Sequence, residues 1–179
     1  MVGLLEKNGD SWTIERCREG SRVGLEEASA LDQLFQRVAQ PGQLAIFADI
    51  EGSVRGEGRL HPTQVLRMQS SGRGCAEEPQ SGQWIARGLD ESWRLVVDQQ
   101  GIRFDGLEDQ DSGPVRIIAE SLPDGSMSFR GAEDTDLELW LYPQACFDNS
   151  GDYRHLKATL SFNGKRLNGC AYKGTDAAP

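Results

Sequence analysis

The chain has 179 residues, enough for one large domain or two small ones at roughly 100–150 residues each. Its apolar fraction is 37% with 21 glycines besides, which together reach the globular range of about 45–50%. A formal net charge of −9 argues against a duplex-binding surface, which needs clustered cations to neutralise phosphate, and no apolar run is long enough for a membrane-spanning helix.

The first ten residues, Met1 to Asp10, lack a basic start followed by an apolar stretch, so no signal peptide is legible there. Two readings compete: a cytosolic chain, or an exported one whose leader has been removed. Ser11–Cys17 alternates Trp12 and Ile14 with Thr13 and Glu15 and predicts a strand. Leu31, Leu34, Phe35 and Val38 follow the spacing of one helix face, and Ser29 with Asp32 resembles a capping box. Pro41-Gly42 stops that helix. Gln43–Ile50 and Thr63–Met68 read as further strands, with His61-Pro62 in a turn between them. One helix on a few strands is an α+β unit.

A stretch rich in glycine and serine, Ser70 to Gly82, reads as a linker between a unit over 1–78 and a second over 83–175. The second unit is predicted to be almost wholly β. Trp93, Leu95 and Val97 share one face; Gln99-Gln100-Gly101 turns into Ile102–Phe104. Val115–Ala119, a turn at Pro123-Asp-Gly125, and Met127–Phe129 follow. Leu137, Leu139 and Leu141 alternate with Glu138, Trp140 and Tyr142, and His155–Phe162 meets Asn163-Gly164, the strongest hairpin signal in the chain. Such a unit is expected to form an antiparallel meander or a small barrel, because closure removes naked edges.

The four cysteines stand at 17, 75, 146 and 170 without any Cys-x-x-Cys. The thioredoxin-like redox motif and the usual zinc spacing are therefore absent. Three pairings are open. Either the thiols are free and buried in a cytosolic protein, or Cys17–Cys75 and Cys146–Cys170 pair, each inside one half of the chain. Composition does not decide between these.

Two stretches carry a resemblance. Ala145-Cys-Phe-Asp-Asn-Ser-Gly-Asp-Tyr153, Ala158-Thr-Leu-Ser-Phe-Asn-Gly164 and Leu167-Asn-Gly-Cys-Ala171 resemble a small β-barrel domain of bacterial envelope lipoproteins. Its pattern runs Cys-x-Asp-x-Met-Ser-x-x-x-Tyr, a threonine-rich strand and a final Gly-Cys-Ala. Ala86-Arg-Gly-Leu-Asp-Glu-Ser-Trp93 looks like a degraded form of that domain's opening. Arg16-Cys-Arg-Glu-Gly-Ser-Arg-Val23, Pro41-Gly-Gln, Glu51-Gly52 and Gly74-Cys75 resemble the N-terminal domain of related lipoproteins, among them copper-homeostasis (NlpE-like) and META/HslJ-type envelope proteins. The resemblance implies a protein of the periplasm or the inner leaflet of the outer membrane, held by a lipidated cysteine. It also implies bridges Cys17–Cys75 and Cys146–Cys170, since that compartment is oxidising. The Cys-x-x-Cys tied to metal in NlpE-like barrels is missing, which weakens any copper role.

Candidate chemistry is sparse. His61 and His155 each stand alone, and Met68 with Met127 is at best a soft Cu(I) pair. There is no Gly-x-Ser-x-Gly elbow, and disulfides would remove any thiolate nucleophile. The acidic runs Glu108–Asp111 and Glu133–Asp136, and the glycines of Gly52–Gly58, read as hairpin ends rather than catalytic carboxylates, a Ca²⁺ loop or a phosphate loop. Trp140 beside Tyr142 forms a binding patch if exposed; the alternative is a tryptophan covered by the N-terminal unit. The expectation is a non-enzymatic envelope protein without cofactor or metal, serving binding, sensing or structure. Its partner is an unknown envelope protein or small ligand, with no nucleic acid, and it meets the membrane only through an anchor. The alternatives are a small-ligand carrier using the barrel mouth and a metal-responsive envelope stress protein.

Overall fold

The computed structural model describes residues 1–26, 29–56, 58–72, 74–77, 82–105, 113–132 and 135–175. The chain gathers into two units, Met1–Glu78 with Ser150–Tyr153, and Pro79–Asn149 with Arg154–Pro179. Among the described residues one α-helix accompanies mainly antiparallel β-sheets of barrel form: an α+β unit is followed by a β-barrel.

In the first unit, β1 (Val2–Asn8), β2 (Ser11–Arg16) and β3 (Arg22–Leu25) form a meander. The helix α1 (Ser29–Val38) follows, and β4 (Ala45–Arg55) and β5 (Arg59–Gln69) form a long hairpin. β4 pairs back with β1, and β5 meets β3 in parallel at Leu25 and Leu60. The resulting order 1-2-3-5-4-1, with a helix between the third and fourth strands, is a five-stranded Greek-key barrel of the OB type. The small sheet expected from the sequence is thus closed on itself. Leu5, Ile14, Leu25, Ile46, Ile50, Leu60 and Met68 are all at most 2% exposed and fill it. α1 brings Leu31, Phe35 and Val38 to the core, with the Phe35 ring edge-on to Trp12 at 5.0 Å. Asp32 pairs with Lys7 and accepts from Gln36, while the side chain of Ser29 lies outside the described set.

His61 and Pro62 stand within β5 rather than in a turn. Irregular register at Asp49/Ile50 and Glu51/Gly52 bends the hairpin there and puts Pro62 opposite Gly52. A proline has no N–H for the ladder, and a bulge accommodates that.

The second unit contains β6 (Trp84–Gly88), β7 (Arg94–Asp98), β8 (Gly101–Asp105), β9 (Ile117–Ser121), β10 (Met127–Gly131) and β11 (Leu137–Tyr142). Two short strands, β12 (Cys146–Phe147) and β13 (Tyr153–Arg154), precede β14 (Leu156–Phe162) and β15 (Lys165–Lys173) in the chain without joining the second unit's sheet, and Tyr153 belongs to the first unit. The eight-stranded sheet runs β8-β7-β6-β15-β14-β11-β10-β9, so the first and last strands of the unit pair, Gly88 to Trp84 against Gly169 to Lys173. Among the described residues its two ends touch through one bridge, Ile102 to Val115. This is an up-and-down barrel with a thin seam. Its interior is one apolar cluster that includes Trp93, Leu95, Val97, Phe129, Leu139, Leu160 and Ala171, which is how eight-stranded barrels of this size are filled. Asn163 and Gly164, with φ of 49° and 69°, make the β14–β15 turn, the type I′ geometry that matches strand twist.

Candidate functional site

The bridges close loops of different length, with 58 residues separating the first pair of cysteines and 24 the second. Cys17 follows β2, its N–H donating to Val2 O at 3.2 Å. Cys75 sits in the short 3-10 turn Gly74–Ala76, and the two Cα atoms lie 5.0 Å apart. Cys146 in β12 meets Cys170 in β15 with Cα atoms 5.5 Å apart, and both are almost fully buried. Each bridge stays within one unit. No cysteine is free, so no thiolate is available as nucleophile or metal ligand. Paired thiols of this kind belong to an oxidising, non-cytoplasmic compartment.

Around the second bridge, each motif residue has a structural task. Gly169 lies against β6, where an added Cβ would come 2.1 Å from Arg87 O and 2.7 Å from the Trp93 ring. Gly88 meets the same indole, its virtual Cβ 2.8 Å from Cδ1. Only glycine lets Trp93 lie on the strand backbone there. Ala171, opposite Ala86, fills the adjoining core position. In the preceding loop, Asp148 accepts from Arg154 at 2.5 Å, both side chains 2% exposed. Asn149 N–H donates to Leu89 O at 2.9 Å. Asp152 accepts from the Ser70 N–H at 2.9 Å and the Ser71 hydroxyl at 3.4 Å. Burial raises the Tyr153 hydroxyl above its ordinary pKa.

The first unit has its own charged cluster. Arg67, buried on β5, reaches Glu77 at 2.9 Å and Asp49 at 3.6 Å and lies 4.7 Å from the Phe47 ring centre. Desolvation pushes the Asp49 carboxyl above its usual value against the opposing pull of Arg67. His61 Nδ1 and Glu26 form a partly exposed pair at 2.6 Å.

The aromatic pair occupies the outer face of β11. Leu137, Leu139 and Leu141 point inward, at most 2% exposed, leaving Trp140 and Tyr142 outside and half-buried. Their rings are parallel to within 11° with centres 6.0 Å apart. Thr159 and Ser128 flank Trp140 in the ladder, and Lys157 is opposite Tyr142. A planar aromatic face beside hydroxyl and ammonium groups can stack on a flat or ring-shaped ligand.

The remaining sequence candidates disperse. Met68 is buried in the first core and Met127 packs against the second; His155 is 8% exposed. Among the described residues, no three His, Cys, Asp or Glu side chains gather as a metal site. Gly52 lies in β4, and the chain turns near Gly56 and Gly58. Asp136 accepts the Gly164 N–H at 2.6 Å. Glu108–Asp111, Glu133 and Asp134 lie outside the described residues. Sequence reasoning did not find the Asp148–Arg154 pair. The two lie six apart, Asp148 in a loop and Arg154 at the end of the two-residue strand β13, and no periodicity marks them.

No family model, curated protein or solved structure matches the chain. Fold and bridges define it as a disulfide-bonded protein of two small barrels. No helix among the described residues is long and apolar enough to cross a membrane.

Proposed function

We propose that this is a non-enzymatic protein of the bacterial cell envelope, lipid-anchored at the inner leaflet of the outer membrane or facing the periplasm, with a binding, sensing or structural task. The observation that carries the reading is the confinement of one disulfide to each barrel, the arrangement expected of a chain oxidised after export. The envelope-lipoprotein motifs support it, because Gly169, Cys170, Ala171 and Asp148 all serve the barrel that those motifs imply. The Trp140–Tyr142 face is the proposed contact for an envelope partner. The packed interior of the second barrel favours such an outer-face contact over a carrier that loads its mouth.

The test expresses the natural gene in its own host, fractionates the cells and measures palmitate labelling, followed by native mass spectrometry of the purified protein. Envelope fractionation with a lipidated cysteine and no copurified small molecule supports the proposal. Recovery in the cytosol with reduced thiols overturns it. A stoichiometric bound lipid or metabolite inside the barrel would favour the carrier.

A further inference from the structure

Asn8, Asn163 and Asn168 are each followed by glycine. The side-chain amide of an asparagine can be attacked by the backbone nitrogen of the next residue, and glycine, having no Cβ, hinders that approach least. The attack needs a nitrogen that can lose its proton and a backbone that can swing it onto Cγ. The fold places the three dipeptides in different surroundings.

Asn163 and Gly164 form the β14–β15 turn, and both are tied to Asp136. The Gly164 N–H donates to Asp136 Oδ2 at 2.6 Å and the Asn163 N–H to Asp136 O at 3.2 Å. A carboxylate on an N–H opposes the loss of its proton and holds the turn in place. Asn168 stands inside β15, which has β14 on one side and β6 on the other. Gly169 is buried there against Arg87 O and the Trp93 ring, and rotation would break the ladder. Asn8 and Gly9 meet neither constraint. They enter the two-residue turn between β1 and β2, where Asn8 pairs with Ser11 as the last rung. Asn8, Gly9 and Asp10 are all exposed, and Gly9 has a φ of 61°. The Ser11 hydroxyl donates to Asn8 O at 2.8 Å, but among the described residues nothing accepts from the Gly9 N–H.

We infer that Asn8 is a site of spontaneous covalent modification, converting to aspartate and isoaspartate, and that Asp136 shields Asn163 from the same reaction. The Gly9 nitrogen gives up its proton and bonds to Asn8 Cγ, the Cγ–Nδ2 bond breaks, and the side-chain nitrogen leaves as ammonia with that proton. Water then opens the cyclic imide at either carbonyl, and no electrons are exchanged. Each event adds one negative charge at the tip of the β1–β2 hairpin to a chain already at −9. The isoaspartyl product also lengthens the backbone of that turn by a methylene.

Ageing the intact protein at mildly alkaline pH, followed by peptide mapping that separates isoaspartate from aspartate, tests this. Asn8 is expected to convert about tenfold faster, or more, than Asn163 or Asn168, the factor that one hydrogen bond to a charged group commands. In water enriched with heavy oxygen the new carboxyl should carry the label. Asp136→Ala should raise conversion at Asn163 toward the Asn8 rate and leave Asn168 unchanged, with circular dichroism checking that the variant folds. In the reduced, urea-unfolded chain the three rates should converge, because the fold alone separates them. An Asn8 that stays intact, or conversion led by Asn163 or Asn168, overturns the inference. So does a ranking that persists in the unfolded chain. A folded Asp136→Ala variant whose Asn163 remains protected overturns the role given to Asp136.

Discussion

Replacing Cys146 and Cys170 together by alanine removes a cross-link between residues 24 apart without leaving a free thiol. On the chain-entropy account, a loop of that length restores about 3.5 kcal/mol of freedom to the unfolded state. The β6–β15 ladder and the apolar core remain, so the barrel still folds if its stability lies in the usual range of about 5–15 kcal/mol. For a unit of this size, roughly 4–8 °C per kcal/mol gives a fall in melting temperature of about 14–28 °C. Urea titration supplies the free energy, and hydrogen exchange locates it: amides of β6–β15 should lose protection while those of β1–β5 keep theirs. A double variant that melts with the native protein refutes the stapled barrel. Equal loss of protection in both units refutes the confinement of that bridge to one of them.

Arg154→Met removes the buried cation that faces the Asp148 carboxylate and should cost about 3–5 kcal/mol, whereas pairing it with Asp148→Leu should recover much of the loss; urea denaturation of both variants decides. Gly169→Ala drives a methyl into Arg87 O and Trp93 and should destabilise the second barrel by about 1–3 kcal/mol or more, read as a lowered melting temperature. Because burial raises the Asp49 pKa, the folded state holds that proton more tightly than the unfolded chain. The resulting stabilisation is fully present below the ordinary value of 3.8 and is lost as pH rises through the raised one. A carboxyl-detected NMR titration should find Asp49 above 3.8; a midpoint at or below it contradicts this account.

Much of the fold is legible in the sequence where one face is buried and the other solvated. Leu137, Leu139 and Leu141 in β11 and Leu31, Phe35 and Val38 in α1 carry clean periods because each element has a single core side. β1 escapes the same reading. Gly3 takes an inward position and Leu4 an outward one, 39% exposed, so its alternation is erased. Barrel closure in the first unit is also hidden, since it depends on one parallel contact, Leu25 to Leu60, between segments 35 residues apart. The bridge pairing follows from the resemblance and not from spacing, as three pairings fit the positions alone. The excursion of Ser150–Tyr153 into the first unit, anchored by Asp152 on Ser70 and Ser71, leaves no pattern in composition.

Peptide mapping under non-reducing conditions, on protein recovered from its native cell with thiols blocked at lysis, decides whether each barrel carries its own bridge. Cross-linked peptides joining Cys17 to Cys75 and Cys146 to Cys170, with no alkylated cysteine, are the predicted result. Four alkylated thiols, or a linkage between the two halves of the chain, would contradict it.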